Sequence, residues 1–326
     1  MPIRPFGPTI LLLICLSSTA LGSSKYALEI NNANHSAAGS FIETEENSTD
    51  DIGFANPGRY QVYEDTVFDN QTGLEWQRSA NYFVPDLSYE ERCGTLELGG
   101  KWDWRVPNFL ELHSIMKYTK PLLPGPNFFI DGDVFPNTYH SAYATSDFDV
   151  LDGTENRVII DFALGTILTT ANDLPYASLS NPPKLRCVRA GRGTLLPSFQ
   201  VNDNGTITDK TRGLIWQVSI SEDNHVSNQA EAYCDSLALG GLSHWRVPSI
   251  HEISTLLNFR NSSISKHYVN IFPNSQHLWL SSQVNKKNTV EYFQVNFKPL
   301  GPAYEYVTSV DDSGPFHFVR CVHSGI

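Results

Sequence analysis

An internal duplication constrains the 326-residue chain more than any other feature. Cys93–Glu111 aligns without gaps to Cys234–Glu252, and 10 of the 19 aligned residues are identical. Upstream, Thr66–Gln77 matches Thr206–Gln217, and each copy ends on a Leu/Val-Arg-Cys-Val tetrapeptide. The offset of 141 residues between the two early cysteines is too long for a solenoid unit and indicates a duplicated domain. We expect the two domains at residues 56–190 and 197–326.

The residues that precede the first repeat predict export. Residues 1–22 contain Arg4, then a short apolar run, then small residues that suit cleavage, which is the pattern of a secretory signal peptide. That run is too short to span a bilayer, and no later stretch approaches the ~18 apolar residues of a membrane helix. Residues 23–55 are polar and acidic, which is typical of a flexible linker. We therefore expect a periplasmic, extracellular or surface protein without a membrane span.

Four cysteines follow the signal peptide, two in each repeat. An even count in an exported chain indicates two disulfides, although spacing alone allows three pairings. Each repeat has one early and one late cysteine. We therefore predict the bonds Cys93–Cys187 and Cys234–Cys321, because this pairing lets each copy fold by itself.

Charge and motifs narrow the function classes. The net charge of −12 argues against nucleic-acid binding, which needs a basic surface. Residues 56–190 carry 11 basic and 18 acidic side chains, a net −7, whereas residues 191–326 carry 10 and 11, a net −1. The two copies therefore need not have the same function. The chain contains no nucleophile elbow, zinc-protease motif or phosphate loop, so we expect a non-catalytic protein.

The local patterns predict an α+β fold for each copy, with two helices, short antiparallel strands and long loops. Thr66–Trp76 predicts a β-hairpin around a Thr-Gly turn. The pattern Ser88-x-x-Glu91 predicts a capped helix that ends at Gly99-Gly100. In the second copy, Asn228 and Glu231 are predicted to cap the corresponding helix.

A second helix is predicted after Trp-Arg-Val-Pro in both copies. Asn108 and Ser249 are the predicted N-caps, and Glu111 and Glu252 occupy the third helical position after them. They could act as ligands or catalytic acids, but this position favours a capping role. Short strands are predicted further on, at Val158–Phe162 and Glu291–Val295.

These motifs resemble the Lcl C-terminal-domain family, named for the C-terminal domain of a bacterial collagen-like adhesin. The resemblance rests on Thr-Gly-Leu-x-Trp-Gln, Cys-x-x-Leu-x-Leu-Gly-Gly, Trp-Arg-Val-Pro-x-x-x-Glu and a final Arg-Cys-Val. The second copy departs from it at Arg212, where Thr is preferred, and at His244, where an acidic residue such as Asp103 is usual. The resemblance implies a C-type-lectin-like fold related to formylglycine-generating enzymes. In the named adhesin, this domain attaches to sulphated glycans on surfaces.

Two Trp-Arg pairs are the first candidates for ligand contact: Trp104-Arg105 and Trp245-Arg246. The indole could stack on a sugar while the guanidinium binds a sulfate or carboxylate. The alternative is a buried Trp beside an Arg that bonds loop carbonyls or an Asp at the turn before the helix. Further aromatic contacts are expected in the long loop after the second helix, at Tyr139, Tyr143 and Trp279.

Two further groups of residues can each be interpreted either as a binding site or as part of the structure. Arg186 and Arg320 could bind anions, but pairing with Asp69 and Asp209 is the preferred interpretation. An acidic stretch could offer oxygen ligands to calcium, although its spacing is not that of an EF-hand loop and a solvated loop is preferred. Its residues are Asp147, Asp149, Asp152 and Glu155. No other cofactor or metal is expected.

These observations together predict an exported, non-catalytic binding or adhesion protein whose partner is a glycan or a surface protein. The net charge of −12 argues against strong affinity for sulphated polyanions, so a neutral glycan or a protein partner fits the sequence equally well. One alternative is an envelope structural or assembly module that makes protein–protein contacts. An enzyme of the formylglycine-generating type is less favoured, because it needs unpaired active-site thiols and all four cysteines are assigned to bridges.

Overall fold

The structure is a computed structural model. It describes residues 58–80, 87–117, 129–138, 142–151, 154–163, 165–169, 182–190, 195–257, 277–286, 289–298, 301–307 and 317–325. The predicted signal peptide, the predicted linker, Tyr139 and Asp152 lie outside these residues. Among the described residues, no helix has the length and apolar character needed to cross a membrane.

A four-stranded antiparallel sheet joins the beginning of the first repeat to its end. Its strands lie in the order β1 (Tyr60–Val62), β2 (Thr66–Asp69), β3 (Leu74–Gln77) and β7 (Val188–Arg189). β2 and β3 form the predicted hairpin, which is confirmed. The late cysteine directly precedes β7, so the closing strand completes the sheet that the hairpin begins.

Two short helices follow the hairpin, α1 (Tyr89–Gly94) and α2 (Phe109–Ser114). Both begin at the predicted capping boxes, which are confirmed. At α1, the Ser88 hydroxyl accepts from the Glu91 N–H at 3.2 Å, and the Glu91 carboxylate accepts from the Ser88 N–H at 2.9 Å. At α2, Asn108 and Glu111 make the same reciprocal bonds. Each box satisfies two of the backbone donors that a helix start leaves without an intrahelical partner.

The Gly99-Gly100 pair does not end α1, so that prediction is wrong. The helix ends earlier, and the glycines form a tight turn with φ values of +59° and +70°. Leu98 and Lys101 exchange two backbone hydrogen bonds across it, at 3.2 and 3.1 Å. Two successive residues with positive φ are what a two-residue hairpin turn requires, and glycine adopts them without steric cost. The second copy forms the same turn at Gly240-Gly241.

A three-stranded antiparallel sheet completes the first repeat. It consists of β4 (Ala142–Leu151), β5 (Thr154–Asp161) and β6 (Thr166–Thr169), paired in chain order. The register of β4 against β5 shifts between Ala144 and Phe148, which indicates a bulge. α2 lies against both β4 and β5. β5 contains most of the strand predicted at Val158–Phe162.

The second repeat has the same elements. Its four-stranded sheet has the order β14 (Val322–Ser324), β10 (Leu214–Gln217), β9 (Thr206–Asp209) and β8 (Phe199–Val201). Its helices are α3 (Ser227–Ser236) and α4 (Ile250–Ser254). Its three-stranded sheet consists of β11 (His277–Lys286), β12 (Thr289–Lys298) and β13 (Gly301–Val307). The described fold is therefore α+β, built from small antiparallel sheets and short helices.

The two helices of the second repeat begin differently. α4 starts at the predicted Ser249–Glu252 capping box, which is confirmed. α3 starts after Val226, which has no side-chain acceptor for the free backbone donors. The predicted caps Asn228 and Glu231 lie inside the helix, so that prediction is wrong. It placed the helix start two residues too late.

Both predicted disulfides are confirmed, and each closes its own repeat. Cys93 is bonded to Cys187 and Cys234 to Cys321, each with a Cα–Cα distance of 5.6 Å. Each bridge joins the first helix of its repeat to the segment just before the closing strand. A small apolar cluster surrounds each bridge, and it includes Trp104 in the first copy and Trp245 in the second.

The main apolar core is shared between the repeats. It includes Trp76 and Phe109 of the first copy together with Trp216 and Ile250 of the second, all buried. α2 lies against α4, and the edge strand β6 lies beside the edge strand β13. All the described residues belong to one compact unit. The expectation that each copy has a core of its own is therefore wrong. The main core contains residues of both copies, and only the small apolar cluster around each disulfide belongs to a single copy.

The buried His113 and the partly buried His251 meet where α2 contacts α4. The ring centroids of His113 and His251 are 5.0 Å apart, and the rings are nearly perpendicular. Burial lowers the pKa of His251 to about 4, and the positive charge of Arg59 adds to this effect. Burial also lowers the pKa of His113 well below its ordinary value, and the neighbouring His251 adds to it. Both rings are therefore neutral at pH 7.

We expect the stability of the protein to fall as the pH drops below about 6.5. In that range the unfolded chain binds protons at these histidines, whereas the folded protein resists protonation of His251 down to a pKa of about 4. Urea denaturation at pH 7, 6 and 5 measures the slope. The control is His251→Leu, because Leu110 occupies the equivalent position in the first copy. This variant should lose less stability on acidification, and an unchanged slope would contradict the assignment.

The shared core predicts that the loss of one bridge destabilises both repeats. The Cys93→Ala/Cys187→Ala variant opens a loop with a sequence separation of 94. In the chain-entropy model this lowers the free energy of unfolding by about 4–5 kcal/mol. Hydrogen exchange read by mass spectrometry should show loss of protection in both copies. The matched Cys234→Ala/Cys321→Ala variant should behave alike, and a loss confined to the altered copy would contradict the shared core.

Candidate functional site

The two tryptophans of the Trp-Arg pairs are buried. Trp104 is 3% exposed and Trp245 is 2% exposed, and each packs against the disulfide of its own copy. The indole N–H of Trp104 donates to the Lys101 carbonyl at 3.0 Å, and that of Trp245 donates to the Leu242 carbonyl at 3.3 Å. This burial favours the structural alternative, and stacking of these rings on a ligand stays a prediction.

The arginine of each pair makes a forked ion pair with the capping glutamate of the next helix. The Nη atoms of Arg105 bond both carboxylate oxygens of Glu111 at 2.7 Å. Arg246 bonds Glu252 in the same way, at 2.7 and 2.5 Å. Burial alone would raise the pKa of Glu252, but the charge and hydrogen bonds of Arg246 lower it below its ordinary value. The capping role was predicted correctly, and the bond to arginine was the part that sequence analysis missed.

Arg186 and Arg320 do not pair with Asp69 and Asp209, so that prediction is wrong. Both guanidinium groups are fully buried. Arg186 donates to the Gln77 carbonyl at the end of β3 at 2.9 Å. Arg320 donates to the Gln217 carbonyl at the end of β10, also at 2.9 Å. Burial lowers the pKa of Arg186 to about 10 and that of Arg320 to about 9. These side chains hold the end of the third strand in each copy, and their burial keeps ligands away.

The two aspartates pair with arginines that lie closer in sequence. Asp69 bonds Arg59 at 2.9 Å, and Asp209 bonds Arg212 at 3.1 Å. Arg212 is the residue at which the second copy departs from the family pattern. It thus supplies a positive charge that the first copy takes from Arg59.

The two predicted aromatic contacts that the structure describes, Tyr143 and Trp279, do not lie in a loop. Tyr143 is in β4, fully buried, with its ring centroid 5.2 Å from that of Phe162. Trp279 belongs to β11, where its backbone pairs with Gln294. Tyr139 lies outside the described residues. The prediction of a loop location for Tyr143 and Trp279 is wrong, because the strands extend further than their short apolar runs suggest.

The acidic stretch does not form a metal site in the part of the chain that the structure describes. Asp147 is buried, and its carboxylate accepts from the Phe109 N–H at 2.7 Å, at the start of α2. Asp149 lies in β4, Glu155 is exposed in β5, and Asp152 lies outside the described residues. No group of three or more potential ligands comes together among the described residues. Asp147 therefore has a structural role in positioning α2.

Sequence analysis missed Trp102, which is 66% exposed and is the most exposed large apolar side chain among the described residues. It follows the Gly-Gly turn and precedes the buried Trp104 by two residues. The second copy has Ser243 at this position. A signal was available, since a tryptophan present in one copy only cannot be required by the common fold. A comparison restricted to the residues that the two copies share does not detect Trp102.

Four charged side chains surround the segment that carries Trp102. Glu75 of β3 is buried, and its two carboxylate oxygens bond Lys101 Nζ at 3.0 and 2.8 Å. Glu75 also bonds Arg189 at 2.5 Å. Arg189 bonds both carboxylate oxygens of Asp103, at 2.6 and 3.2 Å. Two positive and two negative charges thus form one connected network with no net charge, directly beside an exposed indole.

Both carboxylates of this network stay ionised at neutral pH. The hydrogen bond from Arg189 lowers the pKa of Asp103. Burial would raise the pKa of Glu75, but its bonds to Lys101 and Arg189 lower it below the ordinary value. Glu75 lies inside and holds the two cations, whereas the side chain of Asp103 is 63% exposed. The outer carboxylate is therefore an ionised acceptor that faces water next to Trp102.

The second copy lacks this network. Its equivalent residues are Ile215, Leu242, His244 and His323, in place of the four charged side chains. Ile215 and Leu242 pack against the apolar cluster around the second disulfide, and the His323 ring lies 5.5 Å from that of Trp245. Trp102 and its charged neighbours are therefore a feature of the first copy.

The fold is that of a duplicated α+β protein with one disulfide in each copy and an exposed, charge-flanked tryptophan in the first. The family model of the Lcl C-terminal domain matches residues 65–189 and 205–323, so the chain belongs to this family. The two matches confirm the tandem repeat. No curated protein and no solved structure matches the chain. Any function of the chain must therefore be inferred from its own residues.

We predict that Glu111→Gln destabilises the protein far more than Glu91→Gln. Both glutamates complete a capping box, but only Glu111 is buried and bonded to an arginine. Removing one partner of such a pair leaves Arg105 without its counter-charge, which costs about 3 kcal/mol. Urea denaturation of the two variants makes the comparison. Equal losses of stability would show that the cap, and not the ion pair, is the important contribution.

Proposed function

We propose that this chain is an exported, non-catalytic binding protein that attaches to a glycan through its first repeat. One observation carries the proposal: Trp102 is exposed on a fixed segment of the surface. Its indole makes no hydrogen bond or ring contact with the described part of the chain. Packing and folding do not account for a tryptophan in this position, whereas a contact with a partner does.

The surroundings of Trp102 suit a sugar. A pyranose ring has an apolar C–H face and a rim of hydroxyl groups. An indole can cover the apolar face, while nearby charged side chains bond the hydroxyls. Lys101 and Asp103 directly flank Trp102 in the chain, and both reach solvent. The segment thus combines an apolar platform with polar groups on either side.

The segment is also held in place before a ligand arrives. Lys101 is fixed by its backbone bonds across the Gly-Gly turn and by Glu75. On the other side, Trp104 is buried beside the disulfide. A binding residue that is already ordered loses little conformational entropy on association. This favours recognition by a preformed surface.

The remaining parts of the proposal rest on the signal-peptide pattern, the disulfides and the family. Disulfides are typical of exported proteins, which supports a periplasmic or surface location. A C-type-lectin-like fold for each repeat is part of the proposal, as the family resemblance implies. Enzymes of the formylglycine-generating type need an unpaired thiol, whereas the four cysteines of the repeats are bonded in pairs. A binding role is therefore preferred to catalysis.

A second candidate function is that of an envelope assembly module with a protein partner. It is favoured by β1, which is an edge strand of its sheet and ends at the exposed Val62, followed by the exposed Tyr63. An exposed edge can pair with a strand of another chain. In this case the partner would be a surface protein, and Trp102 would not be required.

We expect Trp102→Ala to weaken glycan binding at least about tenfold without changing the thermal midpoint, because the exposed ring leaves no cavity. Binding of the purified exported protein to a glycan array measures the loss. Val201→Ala is the matched control, since Val201 is 59% exposed in the second copy. Equal glycan binding by both variants would contradict the role of Trp102. Retained pull-down of an envelope protein by Trp102→Ala would favour the second candidate.

A further inference from the structure

We infer that the ligand of the Trp102 surface is an uncharged saccharide that presents two neighbouring hydroxyl groups, and that sulphated and carboxylated saccharides are excluded. This inference rests on the proposed function and names the class of its ligand. It depends on three features of the first repeat: the exposed carboxylate of Asp103, the charge balance of the network and the exposed ammonium group of Lys101.

Asp103 selects ligands that donate hydrogen bonds. Its ionised carboxylate can only accept, and it offers about four lone-pair positions. Arg189 occupies one position on each oxygen, and the side chain remains 63% exposed. At least one acceptor position therefore faces water. Hydroxyl groups of a sugar can fill it with charge-assisted bonds, which are stronger than neutral ones. Sulfate groups have no hydrogen to donate.

The charge balance of the network disfavours anions. Arg189 and Lys101 are each already bonded to a carboxylate, so neither has an uncompensated charge to offer. A sulfate that approached Trp102 would meet the negative charge of Asp103 at close range, and like charges in contact are costly. The whole repeat adds to this effect, since residues 56–190 carry 18 acidic and 11 basic side chains.

Lys101 supplies a complementary donor. Its ammonium group has three N–H bonds, and its side chain is 41% exposed while the ammonium group contacts Glu75. At least one N–H remains for a sugar oxygen. A hydroxyl group both donates and accepts, so one hydroxyl can donate to Asp103 while its neighbour accepts from Lys101. Trp102, between these two residues in the chain, then covers the apolar face.

The second repeat provides an internal comparison. At the positions of Lys101 and Asp103 it has Leu242 and His244, and at the position of Trp102 it has Ser243. It therefore has neither the ionised acceptor nor the platform. We therefore expect each chain to bind one saccharide, at the first repeat.

The test uses the purified exported protein and an array of neutral oligosaccharides with their sulphated and carboxylated counterparts. Calorimetry with the best neutral oligosaccharide then gives the stoichiometry. We expect binding to neutral members, one oligosaccharide per chain, and at least about tenfold weaker binding of the sulphated form. Asp103→Asn should weaken the neutral interaction about tenfold, because the charge-assisted bonds are lost, and should reduce the discrimination against sulfate.

The control is Asp203→Asn, which removes one exposed carboxylate from the second repeat and should leave both affinities unchanged. Preferential binding of sulphated oligosaccharides that depends on Trp102 would overturn the ligand class but leave the proposed function intact. The same is true of neutral binding that Asp103→Asn does not weaken. Failure to bind any saccharide on the array would overturn both the inference and the proposed function.

Discussion

The forked ion pair between the Trp-Arg motif and the following helix holds each repeat together. In the first copy, Arg105 exchanges two backbone hydrogen bonds with Val188 of the closing strand, at 2.8 and 2.9 Å. Its side chain bonds Glu111, which in turn caps α2. One residue thus connects a sheet, a loop and the helix that enters the shared core. The buried carboxylate tolerates its environment because the guanidinium satisfies both of its oxygens. Together with Asp147, which accepts from the Phe109 N–H, this pair sets the position of α2.

The two copies retain this framework and differ in the surface beside it. The disulfide, the buried tryptophan and the ion pair occur in both, with similar distances. The side chains around the Gly-Gly turn are charged and aromatic in one copy, but apolar, hydroxyl-bearing or histidine in the other. At the two exposed positions, Trp102/Ser243 and Asp103/His244, a change costs little stability, because no packed volume is lost. Divergence was therefore free to proceed here, and a binding surface on one copy is compatible with an unchanged fold on both.

Local chemistry explains which features the sequence could predict. The capping boxes at Ser88, Asn108 and Ser249 depend on residues three positions apart, so their patterns are sufficient. The bridges were predictable because the duplication assigns one pair to each copy. The Gly99-Gly100 pair was misinterpreted because glycine suits both a helix end and a two-residue turn. Only the backbone bonds between Leu98 and Lys101 distinguish the two.

Properties that depend on the tertiary structure could not be predicted in this way. The burial of Arg186 depends on carbonyl groups about a hundred residues earlier in the chain, and nothing in its own surroundings in the sequence indicates them. The shared core is a property of the same kind. Helices of five or six residues, such as α2 and α4, present too few side chains to build a large core alone. Because the buried fraction of the surface rises with chain size, two copies that pack together exclude more water than two separate copies would. The second repeat therefore contributes stability to the first even where it lacks a ligand site. Packing thus involves both copies in the common core, whereas the proposed binding needs only the first.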